Sequence, residues 1–318
     1  MTQVPRPEHP RPQFERSRWL NLNGAWQFAL DPGQSGTARG LPDNPAAFDR
    51  NITVPFCPES RLSGVAHTDF MPCVWYHRRF ELPEEWRGNR ILLHFGAVDY
   101  DCRVWVNGRP VGRHYGGSSS FHFDITEALE RNDNSLTVCA QDDLRSGRQP
   151  AGKQCPDYAS RGCLYTRVTG IWQTVWLEAA PQSHIRQVSV VADLESGSFV
   201  FTPLFNDADP DQLFQVEIGV GGRRVAAREM PASNGIPFAV DVPEPHPWTP
   251  DDPFLYDVTF RLLEGPRSVD AVKSYAGLRT VRVEGNRILL NEEPVFLRFV
   301  LDQGFYPDGI YTAPDDAA

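Results

Sequence analysis

The chain has 318 residues, of which 41% are hydrophobic and 23% charged, and its formal net charge is −10. These values are typical of a soluble globular protein, and the length predicts two domains of ordinary size with an additional piece. The acidic balance argues against a nucleic-acid partner, because phosphate binding requires clustered Lys and Arg. No apolar run approaches the about 20 residues that cross a bilayer, and the N-terminus has no hydrophobic signal core. We therefore expect a cytoplasmic protein with no membrane partner.

The cysteines do not indicate a metal or redox site. They are few for this length, and none forms a CxxC pair: Cys57, Cys73, Cys102, Cys139, Cys155 and Cys163. The pattern favours reduced, mostly buried thiols over a disulfide framework or a zinc site. The sequence also contains no Walker loop, no GxGxxG after a strand and no HExxH. We predict no cofactor and no metal.

The N-terminal half is dominated by short strand patterns. Residues 1–18 predict an extended arm laid over or beside the first domain. Residues 20–30 alternate around Asn23-Gly24, which predicts a hairpin, and Asn107-Gly108 predicts a second one. Further strands are predicted over 76–82, 90–95, 102–106, 109–112, 120–124 and 135–140, with one helical turn at 126–131 capped by Asp124 or Thr126. Many short strands with almost no helical period indicate a double-sheet β-sandwich.

Residues 165–178 contain the most distinctive strand pattern of this half. Ile171, Val175 and Leu177 alternate with Trp172 and Trp176, so the second part of the stretch predicts one strand between Gly170 and Pro181. Two tryptophans on one face form a large apolar surface. Burial against a second layer is favoured over a ligand-binding role, because aromatic residues dominate protein cores.

A second domain is predicted to begin near Pro181. Its strand patterns lie at 184–191, 197–201, 215–220, 224–227, 238–242, 255–262 and 269–275. Seven strands in about 100 residues are typical of an immunoglobulin-like sandwich.

The last segment has a different pattern. Residues 285–294 predict a small hairpin, and residues 295–301 are almost continuously apolar, as strands buried on both faces of a parallel sheet are. Thr312, with Pro314, Asp315 and Asp316 after it, is a helix start signal.

Six motifs resemble the family 2 glycoside hydrolases, the β-galactosidase and β-glucuronidase family. They are LNGAW at 22–26, VDYDCRVWVNG at 98–108, GIWQTVW at 170–176, PWTPDDPFLY at 247–256, YAGLR at 275–279 and FLRFVLDQG at 296–304. The family usually has glycine at the position of Phe299. The resemblance implies an all-β chain with a jelly-roll sugar-binding domain over 1–180 and an immunoglobulin-like β-sandwich over 181–282. Residues 283–318 would then be the start of a truncated (β/α)₈ barrel.

The resemblance implies a function but no catalytic residue in this chain. Retaining glycosidases use two carboxylates about 5 Å apart. In this family both are glutamates inside the barrel, which takes about 250 residues, so neither can be assigned here. We expect the N-terminal accessory region of a retaining β-glycosidase that acts on O-glycosidic bonds of carbohydrates. The alternative is a stand-alone carbohydrate-binding or scaffold module, and whether the chain is itself an enzyme stays open.

The resemblance also implies candidate substrate contacts. A jelly-roll loop of the family approaches the barrel mouth, and residues 142–154 occupy that place, so Asp142, Lys153 and Gln154 are candidates for binding the carbohydrate. Asp302 and Gln303 follow the presumed first barrel strand, at the end where barrel active sites lie. A carboxylate accepts hydrogen bonds from sugar hydroxyls, and Lys or Gln donates to them. The alternative for each of the three loop residues is a solvated loop of mixed charge.

The apolar residues 295–301 also predict an interaction. A strand without neighbours has unpaired backbone donors and acceptors. We expect residues 283–318 to fold back against the sandwiches, to pair with another copy or to be disordered. Self-association or a homo-oligomer through this C-terminal segment is the predicted outcome.

Overall fold

The computed structural model describes residues 4–318, which form two compact units. The first comprises residues 4–10, 19–179 and 302–318, and the second comprises residues 11–18 and 180–301. In the described residues no helix is long and apolar enough to cross a membrane. Helical structure is limited to 3₁₀ turns at Pro45–Ala47, Arg61–Ser63, Glu84–Trp86, Thr126–Ala128 and Leu144–Ser146. The chain is therefore an all-β protein, as predicted.

The first unit is a sandwich of two main sheets. Its strands are β1 (Trp19–Asn21), β2 (Gly24–Leu30), β3 (Arg50–Val54), β4 (Cys73–Phe80), β5 (Arg90–Phe95), β6 (Val98–Asp99), β7 (Asp101–Val106), β8 (Arg109–Tyr115), β9 (Phe121–Asp124), β10 (Asn134–Gln141), β11 (Gly170–Ile171) and β12 (Val175–Ala180). One sheet has the order β1-β12-β5-β9 and the other β3-β2-β4-β10-β7-β8, with β11 and β6 as a separate pair. Alternate residues of both sheets, such as Phe28, Leu93 and Val104, are fully buried in one core.

The second unit is a seven-stranded sandwich followed by a small sheet. Its strands are β13 (His184–Asp193), β14 (Ser198–Asn206), β15 (Leu213–Val220), β16 (Arg223–Pro231), β17 (Phe238–Asp241), β18 (Tyr256–Glu264), β19 (Arg267–Ala276), β20 (Val281–Glu284), β21 (Arg287–Leu290) and β22 (Glu293–Pro294). The sheets β13-β14-β17 and β16-β15-β18-β19 enclose a phenylalanine-rich core, and β20-β21-β22 form the third sheet. All seven strands predicted for an immunoglobulin-like sandwich are present.

The hairpin at Asn107-Gly108 is confirmed. Strands β7 and β8 pair directly across it, and both turn residues have positive φ, 50° and 72°. This is the geometry of a two-residue hairpin turn, whose twist matches that of the flanking strands.

The helical turn predicted at 126–131 is a shorter 3₁₀ turn over Thr126–Ala128, and its cap residue is Ile125 instead of Asp124 or Thr126. The Asp124 side chain still accepts a hydrogen bond from the Thr126 N–H at 3.0 Å.

The hairpin predicted at Asn23-Gly24 is wrong. Strand β1 pairs with β12, whereas β2 pairs with β3 and β4, so the chain crosses from one sheet to the other at this point. Asn23 is buried, and its side chain accepts from the Val175 N–H and donates to Thr174 Oγ1, both at 3.1 Å. These contacts with the start of β12 take the place of a local turn.

The single strand predicted across residues 170–178 is also wrong. Gly170–Ile171 pairs with β6, Val175–Ala180 pairs with β1, and the residues between them leave the ladder. The two tryptophans consequently separate. Trp176 is 1% exposed and stacks on His94, whereas Trp172 is half-buried and its indole N–H donates to the Gly117 carbonyl at 2.7 Å. The prediction that the tryptophans are buried and do not form a ligand-binding surface is confirmed for Trp176 as far as its burial is concerned.

The C-terminal predictions are partly wrong. Residues 295–301, all within the described part of the chain, form no strand, and Phe296, Phe299 and Val300 are 88%, 83% and 90% exposed. The Val295 N–H donates to the Ile288 carbonyl at 3.0 Å, but residues 296–301 have no paired backbone beside them to form the ladder that a strand requires. Thr312 starts no helix among the described residues, and its hydroxyl donates to the Trp172 carbonyl. Residues 302–318 do fold back against the first unit, which confirms one of the predicted outcomes.

The N-terminal arm was predicted to lie over or beside the first domain, and this holds for only part of it. Residues 4–10 lie in the first unit, but residues 11–18 lie in the second, where Glu15 pairs with Lys273 and Phe14 is 7% exposed in the core. Residues 1–3 of the predicted arm lie outside the described residues.

Candidate functional site

Three carboxylates are buried together at one end of the first unit. Asp142 follows β10, Asp99 ends β6, and Glu59 lies in the loop after β3. They are 7%, 5% and 3% exposed. Burial raises the pKa values of such carboxyls, and the charge of Asp142 raises those of Glu59 and Asp99 further. The buried guanidinium of Arg167 acts in the opposite direction on Asp142, but burial outweighs it. We call Glu59, Asp99 and Asp142 the acid cluster.

Asp142 is held by two side-chain donors. The Thr169 hydroxyl donates to Oδ2 at 3.0 Å, and the Gln149 amide donates to Oδ1 at 2.7 Å. Burial is the largest influence on Asp142 and raises the pKa of its carboxyl, against the lowering effect of these two hydrogen bonds. A raised pKa disfavours the charged form, so this carboxyl holds its proton to a higher pH than an exposed aspartate does.

Gln154 connects Asp99 to the neighbouring backbone. Its amide donates to Asp99 Oδ2 at 2.8 Å, and its oxygen accepts from the Val168 N–H at 2.9 Å. Burial, aided by the charge of Asp142, raises the pKa of Asp99 to about 7. The other oxygen of Asp99, Oδ1, has no hydrogen-bond partner among residues 4–318.

Glu59 has a similar environment. Its Oε2 accepts from the Thr169 N–H at 3.2 Å, whereas Oε1 has no partner in the described chain. Burial raises the pKa of Glu59 to about 8, and Asp142 adds to the effect. The acid cluster thus contains two buried oxygens with unused hydrogen-bonding capacity, which is costly unless a donor occupies the site.

Residues 302–318 supply aromatic side chains next to the acid cluster. Phe305 stacks on Tyr165 with ring centroids 4.7 Å apart, and Tyr311 meets Trp172 edge-on at 5.5 Å. Burial raises the pKa of Tyr311, and the nearby carboxyl of Asp99 raises it further. Ile310 is 5% exposed and packs with Cys57 and Val168. Polar acceptors beside aromatic rings are a combination suited to sugar recognition.

The structure brings together only some of the predicted site residues. Asp142 and Gln154 both belong to the hydrogen-bonded network of the acid cluster. Lys153 is exposed, and only its backbone carbonyl is engaged, by the Tyr165 N–H at 2.8 Å. Asp302 is exposed and accepts from the Gly304 N–H at 2.8 Å. Gln303 is half-buried, and its Oε1 has no partner among residues 4–318.

Sequence reasoning missed three residues of this network, namely Glu59, Asp99 and Thr169. The only sequence signal for any of these three residues was the position of Asp99 inside the family motif at 98–108. In residues 4–318 no group of three or more His, Cys, Asp and Glu side chains has the geometry of a metal site. Five of the six cysteines are buried and Cys163 is exposed, which confirms that most are buried.

Family models and known proteins match most of the chain. Residues 19–181 match the model of the glycosyl hydrolases family 2 sugar binding domain, and residues 183–279 match a second model of glycosyl hydrolases family 2. A beta-galactosidase of Thermoanaerobacter pseudethanolicus is 28% identical over 298 residues, which cover 88% of this chain and 37% of that protein. A beta-glucuronidase of Paenibacillus borealis is 25% identical, with 87% and 48% covered.

A solved structure shows the same fold. The β-glucuronidase from Ruminococcus gnavus in complex with D-glucuronic acid has a TM-score of 0.79 and 23% identity. The match covers 95% of this chain and 53% of that one. The chain spans about half the length of the relatives it matches, or less. It belongs to glycosyl hydrolase family 2.

Proposed function

We propose that this chain is the N-terminal accessory region of a retaining β-glycosidase that acts on O-glycosidic bonds of carbohydrates. Family membership, and matches that cover about half or less of each relative, support this function. We also propose a jelly-roll sugar-binding domain at 1–180, an immunoglobulin-like domain at 181–282 and the start of a barrel at 283–318. A cytoplasmic location stays a prediction.

We place the substrate contact of this region at the acid cluster. The observation that carries the proposal is the pair of buried, unpartnered oxygens on Glu59 and Asp99 beside aromatic rings. Sugar hydroxyls both donate and accept hydrogen bonds, so they would satisfy these oxygens whether each carboxyl is charged or, as its raised pKa favours, protonated. Asp142 and Gln154 would hold Asp99 and Thr169 in position, and Lys153, Asp302 and Gln303 would contribute from the rim. No residue here is assigned to bond cleavage.

Methyl β-glycosides should bind this region weakly, with a dissociation constant in the millimolar range or above. The reason is that half a site leaves the sugar largely solvated, whereas complete pockets bury about 70–90% of a ligand. Titration followed by NMR should shift the side-chain amide of Gln154 and the indole N–H of Trp172. Asp142→Asn should abolish these shifts or weaken binding about tenfold. The matched control is Asp143→Asn, which changes the adjacent exposed carboxylate and should bind as the parent does.

Two results would contradict this placement. One is equal binding by the Asp142→Asn and Asp143→Asn proteins, which would move the sugar contact elsewhere. The other is micromolar affinity for a simple sugar, which would favour the alternative of a stand-alone carbohydrate-binding module. Hydrolysis of aryl β-glycosides by this chain would show that it contains catalytic groups that the proposal does not assign.

We also propose that residues 296–301 cause self-association of this chain through contacts with a second copy. Phe296, Phe299, Val300 and Leu301 are all more than four-fifths exposed, at 88%, 83%, 90% and 85%. Large contiguous apolar surfaces on a free chain drive association. Deleting the whole tail is a poor test, because Ile310 and Thr312 are buried in the first unit.

The double substitution Phe296→Ser, Phe299→Ser should shift the chain from associated species to monomer, as measured by light scattering across a concentration series. Ile236→Ser is a control, since Ile236 is an isolated exposed side chain at 51%. The proposal fails if the parent chain is monomeric at all concentrations, or if the double variant associates equally.

A further inference from the structure

The connection between β10 and β11 is the longest of the first unit. We call these residues, 142–169, the long loop. It contributes Asp142 and Gln154 to the network of the acid cluster. Residues 156–163 within it are all exposed, so packing contributes little to their position. The placement of the long loop therefore depends on the few buried side chains that reach its backbone.

Arg167 is a buried cation whose donors reach the backbone of two separate loops. It is 2% exposed. Its Nη1 donates to the Asp157 carbonyl at 2.7 Å and to the Cys155 carbonyl at 3.3 Å, and its Nη2 donates to the Thr68 carbonyl. The guanidinium also lies over the Phe70 ring, 4.0 Å from its centroid. The fixed, planar fork of donors allows one side chain to join these three carbonyls.

The residue after Arg167 contacts the same part of the long loop. The Val168 N–H donates to the side-chain oxygen of Gln154 at 2.9 Å, and the Gln154 amide donates to Asp99 Oδ2 at 2.8 Å. Gln154 directly precedes Cys155, whose carbonyl accepts from Arg167. Arg167 and Val168 thus hold both the backbone and the side chain of the segment that reaches Asp99.

We infer that Arg167 is the positioning residue of the proposed carbohydrate contact: it holds residues 153–157 in place, so that Gln154 stays bonded to Asp99. This inference rests on the proposed function of the acid cluster. Arg167 itself does not touch the sugar. Lysine in its place would keep the positive charge, but it has no planar fork for the separated carbonyls and cannot lie flat on Phe70.

Hydrogen exchange of the backbone amides tests whether Arg167 holds the long loop. The Cys155 N–H donates to the Tyr165 carbonyl and the Tyr165 N–H to the Lys153 carbonyl, both at 2.8 Å. Arg167→Lys and Arg167→Gln should each raise the exchange rates of these two amides at least about tenfold, because neither replacement reproduces the lost contacts. Val138, which pairs with strands on both sides of β10, should keep its protection.

Arg161→Lys and Arg161→Gln are the matched controls. Arg161 lies in the same loop and pairs with Asp157, but its side chain is 65% exposed. Its replacement should therefore leave the exchange rates within about twofold of the parent values. Titration with methyl β-D-galactoside is the second measurement. The Arg167→Lys chain, whose net charge is unchanged, should bind at least about fivefold more weakly than the parent, and the Arg161→Lys chain should bind equally.

The outcomes separate this inference from the proposed function. If the parent chain binds the galactoside and Arg167→Lys either binds it equally or exchanges its long-loop amides at the parent rates, the inference is overturned and the proposed function stands. If the parent chain does not bind, the proposed function fails, and the role of Arg167 in sugar binding fails with it.

A milder substitution covers the case in which an Arg167 variant does not fold, which loss of protection at Val138 would reveal. Phe70→Leu removes only the ring on which the guanidinium lies. It should accelerate exchange at Cys155 and Tyr165 while Val138 stays protected. Unchanged exchange of these two loop amides in the Phe70→Leu chain would then overturn the inference.

Discussion

Replacing Arg16 by alanine is expected to lower the free energy of unfolding of the second unit by about 3–5 kcal/mol. Arg16 is 4% exposed and makes a two-point contact with Asp270, Nε to Oδ1 at 3.2 Å and Nη2 to Oδ2 at 3.0 Å. Asp270 is itself 6% exposed. Removing the guanidinium would leave a buried carboxylate without its cation, which costs more than the ion pair contributes.

The same guanidinium stabilises the backbone of β13. Arg16 Nη2 donates to the Ile185 carbonyl, and the Ile185 N–H donates to Asp270 Oδ2 at 2.9 Å. The segment at 11–18 is thus part of the second sandwich, with Phe14 in its core. The loss caused by Arg16→Ala should appear as a lower midpoint in urea unfolding.

Arg18→Ala is the matched control for this experiment. Arg18 lies in the same segment and is exposed, so its removal should change the free energy of unfolding by less than about 1 kcal/mol. If the Arg18 and Arg16 variants unfold at the same urea concentration, the buried contact of Arg16 with Asp270 contributes nothing specific to the stability of the second unit.

The second large effect is a loss of stability as pH rises from about 5 to 8. In the folded chain the pKa of Glu59 is about 8, against an ordinary value of 4.5, and that of Asp99 is about 7, against 3.8. At a pH between the ordinary pKa and the folded-state pKa of each group, the folded state holds a proton that the unfolded state has released. Raising the pH therefore favours unfolding, by up to about 1.4 kcal/mol per pH unit for each group.

Other groups act in the opposite direction. Burial lowers the pKa values of His77 and His184, so these rings contribute stability that increases with pH near 6. Asp31 and Asp124 have lowered pKa values, and their contribution is lost only as the pH falls through the acid range. The contribution of Glu59 is therefore isolated by comparing the free energy of unfolding of the parent chain with that of a variant that lacks the Glu59 carboxyl.

Glu59→Gln should gain stability relative to the parent chain as the pH rises from 5 to 8, because glutamine has no proton to lose. Well below pH 4.5, the ordinary pKa of glutamate, the parent residue is protonated in both states and the difference should become constant. Urea unfolding at several pH values measures it, with Glu85→Gln as an exposed control. A difference that does not vary with pH would show that the pKa of Glu59 is not raised in the folded chain.

Local patterns were sufficient for many of the strands and for one turn. Residues 90–95 were predicted as a strand and form β5 with the same bounds, and Asn107-Gly108 forms the predicted hairpin. Both depend on neighbouring residues alone: alternation places one face in the core, and the turn residues accept positive φ. The family resemblance also implied that Asp142 and Gln154 lie in a loop near the substrate, but it gave no information on what either side chain contacts.

The tertiary structure decided the features whose partners are distant in sequence. Asn23 hydrogen-bonds to Thr174 and Val175 instead of closing a turn, and residues 172–174 leave the ladder because the flanking strands pair with different neighbours. The acid cluster likewise assembles from three separate loops and strands. Alternation, turn signals and composition describe the preferences of a segment. Which backbone lies beside it, and which carboxylates lose their water, is determined only when the sheets pack.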